Sequence, residues 1–199
     1  MTKTFRTTNC LDDPEASQKI ERPLGERTTL KDSPFHVVLF QPEIPPNTGN
    51  IIRLCANTGT QLHLIHPCGF ELDDRKLRRA GLDYREWANV REYDCYEQFI
   101  EEAQIRCLYA LSTQGSGCYA EKSFQPGDGF MFGPETRGLP DEILAGLPAG
   151  NRLFVPMVFE TRSLNLSNTV SIVLYEAWRQ QRFTGSGRQR GPFPSVLED

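Results

Sequence analysis

Three short segments gather the residue types that hold ligands and steer protons. The first is Pro45-Pro46-Asn47-Thr48-Gly49-Asn50-Ile51-Ile52-Arg53. Its asparagines and glycine fall where a strand gives way to a helix, and a helix start offers free N–H groups to an anion or a ribose phosphate. Arg53 follows about one turn into that helix, near its mouth. A capped helix with a surface arginine is the competing description. The second segment is Phe132-Gly133-Pro134-Glu135-Thr136-Arg137-Gly138-Leu139-Pro140. A buried strand runs straight into it, and open α/β sheets bind ligands at the carboxyl ends of their strands. Gly133 would let a ligand approach the backbone closely. A rigid turn before a short helix Asp141–Ala145, with Glu135 and Arg137 paired at the surface, describes the same residues equally well. The third segment, Arg162-Ser163-Leu164-Asn165-Leu166-Ser167-Asn168-Thr169-Val170, opens an apolar helix. It holds more Ser, Asn and Thr than one helix cap needs, and the excess points to a polar ligand. The stripe after it (Val170, Val173, Leu174, Ala177 and Trp178) reads as core or subunit interface, with Tyr175 and Trp178 as candidates for the latter.

Other chemistries are poorly served. Gly115-Ser116-Gly117-Cys118-Tyr119-Ala120 has the spacing of a dinucleotide-binding fingerprint, but that motif needs a helix to start there, and Pro126 and Gly127 follow within a few residues. His63 and His66 fall out of phase on a strand and make a poor metal pair; no metal site is expected. No nucleophile–histidine arrangement is readable. The cysteines Cys10, Cys55, Cys68, Cys95, Cys107 and Cys118 form no C-x-x-C pair, so zinc and redox spacings are absent and reduced, mostly buried thiols are expected.

The elements that must position these segments alternate strand and helix. Apolar runs at His36–Phe40, Leu62–His66, Cys107–Leu111, Gly129–Phe132 and Leu153–Val155 suit buried strands. Asn47 or Thr48 can cap a helix through Ile51, Ile52, Leu54 and Cys55 to Asn57, stopped by Gly59. Asp73 and Asp74 can cap a short basic helix, Arg75–Arg79. Asp94 can start another, with Tyr96, Phe99, Ile100 and Ala103 on one face, and a long apolar helix runs from about Leu166 to Gln181. This alternation predicts an α/β fold built on a mainly parallel sheet flanked by helices. Residues 1–33 are polar and aperiodic and read as a flexible extension, as does a tail over 185–199, leaving one folded unit at 34–184.

At 199 residues and 38% hydrophobic content, one domain with one real core is expected. No apolar run approaches the roughly 20 residues that span a bilayer, and the N-terminus lacks a secretory apolar region, so a cytoplasmic location is expected. The net charge of −4 counts mildly against nucleic acid as a partner, though phosphate binding depends on where the cations sit.

Taken in order, the three segments resemble the three motifs of the SPOUT RNA 2′-O-methyltransferases. The similarity runs from about His36 to Arg182. Arg53-Leu54-Cys55-Ala56-Asn57-Thr58-Gly59, Arg78-Arg79-Ala80-Gly81-Leu82-Asp83-Tyr84 and Tyr175-Glu176-Ala177-Trp178-Arg179 resemble most closely the branch acting on cytidine or uridine 34 of tRNA. A sister branch acting on another tRNA position or on ribosomal RNA is the alternative. The resemblance implies a trefoil knot near the C-terminus, S-adenosyl-L-methionine as cofactor, and a homodimer whose site uses both chains. It places cofactor contacts at Leu111, Gly133, Val155, Ser163, Leu164, Leu166 and Asn168. It places tRNA contacts at Asn47, Asn50, Arg75, Lys76, Arg78, Arg79, Arg85 and Arg162, and the catalytic role on Arg53. A guanidinium hardly ever gives up its proton. Arg53 would therefore bind the adjacent phosphate and stabilise the developing alkoxide, while phosphate or water takes the proton.

Overall fold

The computed structural model describes residues 34–70, 89–159 and 161–186. Seven parallel strands form one sheet: β1 (Phe35–Phe40), β2 (Gln61–Ile65), β3 (Val90–Tyr93), β4 (Leu108–Leu111), β5 (Gly117–Cys118), β6 (Asp128–Phe132) and β7 (Arg152–Phe154). Their spatial order is β3-β2-β1-β6-β4-β7-β5. The central strands are covered on both faces, which is why they read as unbroken apolar runs. Val37 pairs with Leu62 on one side and Phe130 on the other.

Side chains of one strand alternate between two cores. Val37, Leu39 and Phe130 pack with Ile51, Ile52, Val173 and Leu174 of helices α1 (Pro45–Thr58) and α4 (Leu166–Gln180). Val38, Phe40 and Met131 pack with Phe99 of α2 (Tyr96–Glu102) and Ile143 and Leu144 of α3 (Asp141–Gly146). The α/β expectation therefore holds, with every strand pair parallel.

Several boundaries differ from the sequence reading. Helix α1 starts at Pro45, with Ile44 as a cap that makes no side-chain bond. Prolines suit the first turn because the N–H they lack would be unpaired there. Asn47 and Thr48 are thus buried inside the first turn rather than capping it, and Arg53 lies two turns in, about 12 Å along the axis from Pro45. Gly59 ends the helix in the left-handed region, at φ 68°. Strand β3 escaped notice because it is an edge strand in which only Tyr93 is buried. Helix α2 is capped at Cys95 rather than Asp94; it buries Phe99 but leaves Ile100 exposed.

His63 faces a buried neighbourhood, with Nε2 3.0 Å from His36 Nδ1 and Nδ1 2.9 Å from the Tyr93 hydroxyl. His66 instead pairs with Glu92, and no metal-binding cluster occurs among the described residues. Cys55, Cys68, Cys95 and Cys118 are free thiols, of which only Cys55 is buried, so these four are less buried than the sequence suggests. The extension 1–33, the basic helix 75–79, the cations Arg75, Lys76, Arg78, Arg79 and Arg85, and the tail from 187 lie outside the described residues. Among the described residues no helix is long and apolar enough to cross a membrane.

Candidate active site

Strands β6, β4 and β7 are neighbours, so their carboxyl ends lie side by side. Leu111 ends β4, Gly133 follows β6 and Val155 follows β7. Around these three points opens a cleft of about 480 Å3. Ser163, Leu164 and Leu166, leading into α4, form another wall, and Ile44 and Asn47 line it from the start of α1. Six of the seven residues expected at a cofactor thus meet in one place. Asn168 does not: it is exposed, off the cleft, with its backbone N–H turned to the helix cap. Ser112, Thr113 and Met157 join the lining without having been anticipated.

The walls are held by hydrogen bonds between the three segments. The Glu135 carboxylate accepts from Glu43 N at 2.8 Å, Ile44 N at 3.3 Å and Asn47 Nδ2 at 3.0 Å. Asn47 Oδ1 accepts from Asn165 Nδ2 at 2.9 Å. Asn165 Oδ1 accepts from the backbone N–H groups of Ser167 (2.9 Å) and Asn168 (3.4 Å), capping α4. One relay therefore runs from the loop after β6, through α1, to the start of α4. Asn47, expected at RNA, is 5% exposed and committed at both ends of its amide. The reason is the earlier helix start, which turns it inward.

Glu135 and Arg137 are not paired with each other. Arg137 donates to Gln41 Oε1 at 2.9 Å and approaches Glu43 at 3.5 Å. The Thr136 hydroxyl, bonded to Glu43, holds that carboxyl below its ordinary value. Gly133 is also required by the fold: a Cβ there would overlap the backbone of Gly138 and Leu139, where the loop folds back on itself. Gly115 of the apparent dinucleotide fingerprint is explained the same way, since its backbone lies against Leu153 and Phe154 of β7. Only a three-residue 3-10 turn, Tyr119–Glu121, follows it.

The sequence matches the SpoU rRNA Methylase family over residues 34–175. The chain belongs to this family. It is 56% identical over 152 residues to the tRNA (cytidine(34)-2′-O)-methyltransferase of Escherichia coli strain K12, covering 76% of this chain and 97% of that one. A solved structure described as giving insights into the 2-OH methylation of C/U34 on tRNA is 44% identical. It aligns with a TM-score of 0.68 over 75% of this chain and 97% of its own. The SpoU methyltransferase AviRb from Streptomyces viridochromogenes, solved in complex with AdoMet, shares the fold at 22% identity and a TM-score of 0.65, over 77% of this chain and 60% of its own.

Within this SpoU-family fold the remaining site residues separate from the cleft. Arg53 is exposed on α1 and is not among the cleft-lining residues. It shares an outward stripe with Pro46, Asn50 and Asn57, all exposed and spaced three or four residues apart. Arg162 is exposed on the approach to α4, immediately before the lining residue Ser163. On α4, Ile172 and Tyr175 are exposed and Trp178 is half-buried, its indole N–H donating to Thr184 O at 3.0 Å.

Proposed function

We propose that this protein transfers a methyl group from S-adenosyl-L-methionine to the ribose 2′-hydroxyl of nucleotide 34, cytidine or modified uridine, in the tRNA anticodon loop. The observation that carries the reading is the lacing of all three motif segments around one cleft at the strand ends, in a chain so similar to an enzyme named for position 34. That similarity favours tRNA position 34 over ribosomal RNA or another tRNA position. The catalytic unit is residues 34–184, and it works in the cytoplasm, where tRNA is modified.

The cleft's chemistry fits the cofactor. Its volume lies within the roughly 300–1,000 Å3 of small-molecule sites. Leu111, Val155, Leu164 and Leu166 offer apolar surface for a flat base, and Thr113, Ser163 and open loop backbone offer hydrogen bonds. The bound cofactor supplies a methyl group on a sulfonium, so the leaving group needs no activation. What the chain must add is alignment of the hydroxyl and stabilisation of its oxygen. Arg53 binds the phosphate beside the target ribose and stabilises the developing alkoxide. Its guanidinium keeps its own protons, and the phosphate or a water takes the hydroxyl proton. Asn50, Arg162 and the cations Arg75, Lys76, Arg78, Arg79 and Arg85 extend the contact along the tRNA.

Two further features belong to this reading. A trefoil knot is supported by β7, which inserts between β4 and β5 although both precede it in the chain. A homodimer is supported by the absence of Arg53 from its own chain's cleft lining, and by the exposed apolar residues of α4. In that homodimer, Arg53 of one copy serves the cleft of the other.

The deciding experiment supplies labelled S-adenosylmethionine and total tRNA lacking its position-34 ribose methylation, then maps the label. Label on the 2′-oxygen of nucleotide 34 is expected; label elsewhere assigns another branch of the family, and none overturns the reading. Arg53→Lys is expected to lose about 100-fold in turnover with unchanged cofactor binding. Normal turnover in that variant would remove Arg53 from its role.

A further inference from the structure

Between β7 and α4 the chain makes a tip, Met157-Val158-Phe159, that is apolar and in the open. Phe159 is 88% exposed and Val158 80%. Large apolar side chains so bare are unusual on a surface with no partner. The Thr161 hydroxyl donates to Val158 O at 2.7 Å. Two observations say what meets it. Met157, at its base, lines the cleft, and two residues of chain span at most about 7 Å, so the Phe159 backbone lies no further than that from a lining residue. Arg162, exposed three residues further along and immediately before the lining residue Ser163, puts a cation on the same connection. An exposed aromatic and an exposed cation on the connection that lines a cleft are the groups that receive a single-stranded base and its phosphate backbone.

We infer that Phe159 is a substrate-binding residue that stacks on the nucleobase of the nucleotide being methylated, an inference that rests on the function proposed above. The base is attached one bond from the carbon bearing the reacting hydroxyl, so a ribose presented to the cleft carries its base to the rim. Stacking uses the π-face that every base possesses, so cytidine and uridine would be accepted alike. A purely structural tip would not distinguish a ribose with a base from one without.

The test uses the full-length protein and two tRNA substrates, one intact and one with a ribo-abasic residue at position 34 that keeps its 2′-hydroxyl. On intact tRNA, Phe159→Ala is expected to raise KM about tenfold with unchanged S-adenosylmethionine affinity and oligomeric mass, and Phe159→Trp to restore it. On the abasic substrate, wild type and Phe159→Ala should coincide. An unchanged KM in Phe159→Ala, or the same tenfold gap on the abasic substrate, overturns the inference. So does a loss of oligomeric mass in Phe159→Ala, which would assign the tip to a second copy of the chain. A wild type that methylates no position 34 sinks the underlying function and this inference with it. An active wild type indifferent to Phe159 sinks this inference alone.

Discussion

Replacing Glu135 by Gln should loosen the cleft from a distance, because the relay has only one consistent orientation. At one end a carboxylate can only accept; at the other the α4 N–H groups can only donate. Between them Asn47 must point its nitrogen at Glu135 and Asn165 its oxygen at the helix. A glutamine keeps one acceptor atom for donors that now occupy two oxygens, one serving Glu43 N and the other Ile44 N and Asn47. At best it loses one hydrogen bond to a charged acceptor, about 1.5–3 kcal/mol, and the favourable charge near the start of α1, about 0.3–1 kcal/mol. Partial access of water offsets some of this, leaving about 2 kcal/mol. Urea unfolding should show that loss as a lower midpoint at constant slope. Calorimetry should show S-adenosylmethionine affinity reduced about tenfold, an effect of the ~1.4 kcal/mol that one broken link transmits to the wall formed by Ser163, Leu164 and Leu166. The decisive comparison is a double-mutant cycle of Glu135→Gln with Asn165→Ala, two residues that do not bond each other directly. Non-additivity of about 1 kcal/mol is expected if Asn47 couples them. Additive losses, within about 0.5 kcal/mol, would refute the relay.

Two other outcomes follow from the geometry. His36 and His63 are buried neutral, burial being the main cause that lowers them to about 4 and about 3. The unfolded chain therefore binds more protons below pH 6.5, and the stability present above that pH is lost as pH falls toward 4. His36→Gln should lose about 2 kcal/mol less than wild type between pH 7 and 4.5 by thermal or urea unfolding; equal losses would show that the pair does not titrate this way. Mixing Arg53→Lys chains with Leu164→Arg chains, each inactive alone, tests whether the site is shared. Hybrids should recover about a quarter of wild-type methyl transfer, since half the dimers are mixed and each has one complete site, and no recovery would place both halves of the site in one chain.

The sequence exposed the parts of this molecule whose signal is local. Strands β1, β2, β4 and β6 are largely buried on both faces and could be read directly, whereas β3 has one buried residue and β5 only two residues in all. The start of α1 was placed too late because Pro45 and Pro46 look like loop residues unless they occupy the first helical turn. Six cleft residues were reached through the family resemblance, which set them at strand ends and at the approach to a helix. The roles of Glu135, Asn47 and Asn165 were not, because their bonds join residues 88 and 118 positions apart.

The same bonds change how the surplus polar residues of the third segment are understood. Their number suggested a polar ligand, yet most are already engaged within the protein. Asn165 caps α4 and also accepts from the Ser167 hydroxyl, Thr169 donates back to Asn165 O, and Ser171 donates to Ser167 O. What remains for a ligand is Ser163, Thr113, Ser112 and the loop backbone, set among leucine and valine side chains. A cleft of that composition can hold a nucleoside but has little with which to select an RNA. Of the cations, Arg137 lines the cleft but is held by Gln41 and Glu43, whereas Arg53, Arg162 and the bare aromatic Phe159 stand outside the cleft lining. On the function proposed above, cofactor binding and RNA choice would rest on different side chains, and substitutions in one group should leave the other function largely intact.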